Sequence, residues 1–243
     1  MKRFAVITEG EGELLFIKHL LLLLFDNSSI KISCIKLNSD DATEADYNYS
    51  PPDPKYHFII IAVGTDEKVT SYLIEQASSF NSDRYEKLFC IRDMYCQRYD
   101  KLAKGQINIS VGKRIIKKTN EVINAHISNE MLYVFAIMEF EAWLLGIKDL
   151  FNKYNHKLTI DIIESKIGYN LDCVDPENLF FKPSNILGKI FLLINKKYTK
   201  SKDIIKSFLS HINLDDLNEL HKNGKCKSFS RLFNGLSELS NLS

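Results

Sequence analysis

The hydrophobic positions of this chain keep two rhythms over roughly its first 146 residues and one thereafter. Runs of strand length, "RFAVIT", "IKISCIKLN", "YHFIIIAVG", "EKLFCIRD" and "MLYVFAIME", take turns with stretches of helical length, "GELLFIKHLLLLLF", "DEKVTSYLIEQASSF", "VGKRIIKKTNEVINA" and "FEAWLLGI". A continuous apolar run such as "YHFIIIAVG" suits a strand buried on both faces. Strands alternating with helices in this way predict a mostly parallel sheet with right-handed crossovers and helices on its faces. Beyond Gly146 the strand signal fades into short helical stretches, "IDIIESKI", "PSNILGKIFLLINKKY", "SKDIIKSFLSHI", "LDDLNELH" and "SFSRLFNGLSEL". The fold class expected is therefore α/β, with a sheet domain over residues 1–148 and an α-rich extension over 149–243. Between the second and third strands, residues 38–54 carry Asp40, Asp41, Glu44, Asp46 and Asp53 without a base, which reads as a solvated loop.

Composition changes this picture little. At 243 residues, with 45% hydrophobic and 26% charged residues, the chain has the make-up of a globular protein. No apolar run, Leu20–Phe25 among them, approaches the roughly 20 residues a membrane span needs, and the first ten residues lack the apolar core of a signal peptide. A cytoplasmic protein with no membrane partner is expected. Five cysteines without a CxxC pair read as reduced and mostly buried thiols. The net charge of +1 conceals segregation: Lys101–Asn120 and Lys182–Lys206 are strongly basic, the second stretch holding a single acid, Asp203.

The candidate chemistry lies where strands end. In open α/β sheets ligands bind beyond the carboxyl ends of the strands. "AVIT" delivers Glu9, "LFCIR" delivers Asp93, and "LYVFAIM" delivers Glu139 with Glu141 two residues on. Carboxylates gathered on one rim repel each other and call for a cation, and hard oxygen donors favour Mg²⁺ or Mn²⁺. Glu11 and Glu13 sit in the first turn of the following helix, where acids complement the helix dipole. "GEG" is not a phosphate-binding loop, since no GxxxxGK[ST] follows and an acid sits inside the turn. The six histidines are scattered without helical pairing.

"VITEGEGE" resembles the first motif of the Toprim fold, the metal-binding module of topoisomerases, primases and OLD-type nucleases, with Glu9 as its acid. "LFCIRDMY" is similar to the later Asp-x-Asp strand, although Tyr95 stands where the second aspartate would be. "DMY", "EFEAWLL", "KPSNILGKIF", "YTKSKDIIKSFLSHINL" and "CKSFSRLF" resemble, in that order, a family of standalone Toprim-like bacterial proteins known chiefly as a domain of unknown function. The likeness covers nearly the whole chain.

The resemblance implies a divalent-metal-dependent nuclease serving antiphage defence beside an ATPase partner. On that view Glu9, Asp93, Glu139 and Glu141 hold metal, and Glu13 binds a second ion or orients water. Lys200, in the "YTK" motif and the second basic stretch, is then the candidate phosphate contact. Lys113, Arg114, Lys117 and Lys118, spaced three and four apart, would put a nucleic-acid-binding face on one helix. Two other readings stay open: a non-catalytic partner subunit whose site Tyr95 marks as decayed, and a nucleotidyl transferase of the primase kind. Phe229, Leu232, Phe233 and Leu236 follow helical spacing and form either a docking face for the partner or part of the chain's own core.

Overall fold

The computed structural model describes residues 1–38 and 41–240. In chain order the elements begin β1 (Lys2–Thr8), α1 (Glu11–Leu24), β2 (Ile30–Asn38), β3 (Asp41–Glu44), β4 (Tyr56–Ala62), α2 (Asp66–Glu75), α3 (Ala77–Ser82), β5 (Lys87–Asp93), α4 (Gln97–Ala103), α5 (Ile109–His126) and β6 (Met131–Ala136). Helices follow: α6 (Glu141–Gly146), α7 (Leu150–Tyr154), α8 (Ile160–Ile167), α9 (Pro176–Leu179), α10 (Pro183–Leu192), α11 (Lys202–Leu209), α12 (Leu214–Lys222) and α13 (Lys227–Ser240). The α/β class, the mostly parallel sheet with flanking helices and the helical C-terminal region agree with the sequence reading. Among the described residues no helix is long and apolar enough to cross a membrane.

The chain divides into two compact units, each discontinuous in sequence. The first comprises Met1–Arg92, Ile109–Phe135 and Gly235–Ser243; the second comprises Asp93–Asn108 and Ala136–Asn234. The sheet has six strands in the order β3-β2-β4-β1-β5-β6. β1 runs parallel to β4 and β5, and β2 parallel to β4, so Ile7 lies between Ile61 and Cys90. Phe4, Ala5, Val6 and Ile7 of β1 and Phe58 and Ile60 of β4 are 0–1% exposed, as expected of central strands covered on both faces. From α1, Leu14, Phe16, Ile17, Leu20 and Leu21 are buried in turn. The apolar run "LLFIKHLLLLL" therefore makes a core helix.

The loop expected over residues 38–54 is corrected in part. Asp41–Glu44 form β3, an antiparallel edge strand on β2 with Ile35 opposite Glu44. An edge strand pairs on one side only and can be polar throughout, so no alternation announces it. Asp40 lies outside the described residues, and Asp46 is exposed.

The second unit is helical. Its core gathers Phe140, Trp143, Phe191, Phe208 and Phe229, each no more than 1% exposed. The Trp143 indole donates to Glu177 Oε1 at 2.9 Å, and that carboxylate also accepts from the hydroxyl and backbone N–H of Ser228. Burial raises the Glu177 pKa against the lowering pull of these donors. The four apolar residues of α13 are not a free docking face. Phe229, Leu232, Phe233 and Leu236 are 0%, 0%, 5% and 0% exposed, with Phe229 packed edge-on to Trp143 and Phe233 stacked on His221. Four of the five cysteines are buried, Cys173 is exposed, and all are free.

Candidate functional site

The acids chosen from the sequence fall in both units: Glu9 and Glu13 in the first, Asp93, Glu139 and Glu141 in the second. In the first unit Glu9 follows the last residue of β1, and its carbonyl accepts the N–H of Gly64, two residues past β4 (2.7 Å). Glu13 turns back to accept the Gly10 N–H at 3.1 Å, which caps the start of α1. Glu11 pairs with Lys36 of β2 and accepts the Tyr47 hydroxyl. Lys113, Arg114, Lys117 and Lys118 are all exposed on α5, with Lys117 3.9 Å from Glu121 one turn on.

In the second unit the carboxylates come into one neighbourhood because two segments are tied together after their strands. Met94 N–H bonds Ala136 O (2.8 Å) and Tyr95 N–H bonds Met138 O (2.7 Å). Met138 is fully buried at φ 66°, a left-handed conformation rare for a side-chain-bearing residue and worth about 1–3 kcal/mol of strain. Past that turn Phe140 N–H donates to Asp93 Oδ1 at 2.9 Å, and Glu141 opens α6.

One ammonium joins two of these acids. Lys200 Nζ lies 2.9 Å from Glu141 Oε1 and 3.8 Å from Asp93 Oδ2. The carboxylate side chains are 0% and 5% exposed, whereas that of Lys200 is 44% exposed. Glu141 Oε1 also accepts the Tyr198 hydroxyl at 3.1 Å, and Tyr198 packs on Phe191. Lys200 further lies over the Phe140 ring, 5.5 Å from its centroid. Glu139 is spent differently. Its two oxygens accept the Ser184 N–H (2.7 Å) and hydroxyl (3.0 Å) in the first turn of α10, where Pro183 precedes.

Tyr95, in place of a second aspartate, donates its hydroxyl to Asp100 at 3.2 Å and meets Phe181 edge-on at 5.3 Å. Lys182 Nζ lies 4.7 Å from the Tyr95 ring centroid, and a hydrogen bond to Tyr95 holds the Lys182 ammonium above its ordinary pKa. Sequence reasoning missed Ser184 and Lys182 and passed over Tyr198 within "YTK". Their partners lie 45 to 57 residues away for the first and last, and no periodicity announces such a contact.

As donors, Asp93 and Glu141 suit a hard divalent cation. They are buried carboxylate oxygens converging on one point, occupied here by the Lys200 ammonium. Glu139 suits it less, because Ser184 engages both its oxygens. Among the described residues no three His, Cys, Asp or Glu side chains form a metal-holding group. Comparison with protein families, curated proteins and solved structures finds no match to this chain in any of the three.

Proposed function

We propose that the chain is a divalent-metal-dependent nuclease that hydrolyses phosphodiesters of DNA or RNA, with its reacting centre at Asp93, Glu141 and Lys200. The observation that carries this reading is the pair of buried carboxylates, Asp93 closing β5 and Glu141 opening α6, that share one half-exposed lysine. The Toprim-like motifs supply the reaction class. Asp93 and Glu141 would hold Mg²⁺ or Mn²⁺, which when bound stabilises charge on a phosphate and lowers the pKa of water. Tyr198 fixes Glu141 Oε1, the Phe140 N–H fixes Asp93 Oδ1, and Lys200 offers an ammonium to a phosphate oxygen from the solvent side. Glu9 enters the proposal on the resemblance alone, as do Glu13, Glu139 and an ATPase partner in antiphage defence. Lys113, Arg114, Lys117 and Lys118 are the proposed contacts to the nucleic-acid backbone, which neutralises phosphate charge without reading sequence.

A non-catalytic partner subunit is the second reading, favoured by the fact that Lys200 gives the two acids a counter-charge without any metal. Cleavage of plasmid DNA, single-stranded DNA and transfer RNA in Mn²⁺ separates the two. Fragments are expected from at least one substrate, and Asp93→Asn or Glu141→Gln should reduce the rate by at least about 100-fold, since even residues that merely orient metal ligands contribute roughly 10- to 100-fold. No cleavage of any substrate favours the non-catalytic reading. Undiminished cleavage by both variants places the chemistry elsewhere.

A further inference from the structure

We infer that Lys200 is a resident counter-cation that a divalent ion must displace, so that metal binding at Asp93 and Glu141 and release of the Lys200 side chain are one event. This rests on the proposed reading of those two acids as metal donors. Two carboxylates taken out of water need nearby positive charge, because burial without it is costly for each and their mutual repulsion adds to the cost. Here Lys200 contributes that charge, closer to Glu141 (2.9 Å) than to Asp93 (3.8 Å). A divalent cation bound to the same oxygens would stand within a few ångströms of the ammonium, where like charges repel strongly in a partly desolvated site. The two therefore exclude each other.

The surroundings of Lys200 let it leave. Its side chain is 44% exposed, so solvent is already on one side. Residues 196–201 form no helix or strand between α10 and α11. The Tyr198 hydroxyl would continue to hold Glu141 Oε1 after the ammonium departs, so the donor oxygen stays in place. Once in solvent at the edge of the site, the ammonium is available to an anionic phosphate. Lys200 is thus both a competitor of the metal and a candidate partner of the substrate, and it lowers metal affinity when no substrate is present.

The test reads metal binding directly. Mn²⁺ affinity of the full chain is measured by titration calorimetry for wild type, Lys200→Met, Lys200→Arg and Asp93→Asn. Lys200→Met, which keeps the length of the side chain and removes the charge, should bind Mn²⁺ about tenfold or more tightly than wild type. Lys200→Arg should not exceed wild type, and Asp93→Asn should bind more weakly. In parallel, acylation of Lys200 in the wild-type protein, followed by mass spectrometry, should accelerate when Mn²⁺ is added, a readout that does not depend on any variant folding. If wild type binds Mn²⁺ and Asp93→Asn does not, while Lys200→Met binds no tighter and Lys200 acylation is unchanged, the counter-cation inference is overturned and the metal site stands. If neither wild type nor Lys200→Met binds Mn²⁺, the metal site itself is overturned and the inference falls with it.

Discussion

His57 shows most plainly how surroundings set the chemistry of one residue. It lies on β4 with Nε2 2.9 Å from the Ser33 hydroxyl of the neighbouring β2. Burial, aided by the charges of Lys31 and Arg3, lowers its pKa from 6.5 to about 4. The unfolded chain thus takes up this proton before the folded one does. His57 contributes stability that is fully present above pH 6.5 and is lost as the pH falls towards about 4. Thermal unfolding of wild type and His57→Gln between pH 4 and 8 tests this. The melting temperature of wild type should fall more steeply than that of the variant below pH 6.5, with parallel curves above it. Parallel curves throughout would mean that His57 titrates normally in the fold. The same scale separates what residue types and order reveal from what they do not. Strand-end logic picked out Asp93 and Glu141, which the fold brings to one lysine. It could not see that Glu139 serves α10, because Ser184 stands 45 residues away.

Elements were legible where a buried face imposes a period and illegible where it does not. The five core strands and the long helices announce themselves through apolar runs that the structure buries. β3 is a polar edge, α7 and α9 span five and four residues, and α4 is seven residues long, too short for a period to stand out. The single helix read from "DEKVTSYLIEQASSF" is divided at Gln76, which joins α2 to α3 with φ −93° and ψ 4°. α6 was legible for the opposite reason: every residue of "EAWLLG" is buried. Its last position has little room. A Cβ on Gly146 would stand 2.9 Å from both Cys226 Sγ and Leu220 Cδ1, within a packed region of the second unit. Gly146→Ala should therefore destabilise the protein by about 1–3 kcal/mol, the usual cost of overpacking, although alanine is the better helix former. Urea unfolding followed by the fluorescence of Trp143, the chain's single tryptophan, measures the change. A midpoint equal to or above that of wild type would show that Cys226 and Leu220 yield without cost.

At the scale of the whole molecule, the chain passes from one compact unit to the other at four points, after Arg92, Asn108, Phe135 and Asn234. A division read from the fading of strand signals cannot reveal such interleaving, because each passage falls within or beside a regular element rather than in a linker. The last passage lies inside α13, which gives Phe229, Leu232 and Phe233 to the second unit and Leu236 to the first. All four are buried, and a Cβ on Gly235 of the same helix would come within 2.4 Å of Leu132 Cδ2 in the first unit. Loss of this helix removes core from both units at once. Fully burying one Phe or Leu side chain contributes about 1.5–3 kcal/mol, so four such residues rival the whole 5–15 kcal/mol net stability of a typical protein. A chain ending at Lys225 should accordingly fail to accumulate as soluble, folded protein. Circular dichroism and size-exclusion chromatography after expression check this. A soluble truncated chain with native helix content would overturn the assignment of α13 to the core and return its apolar face to the role of a docking surface.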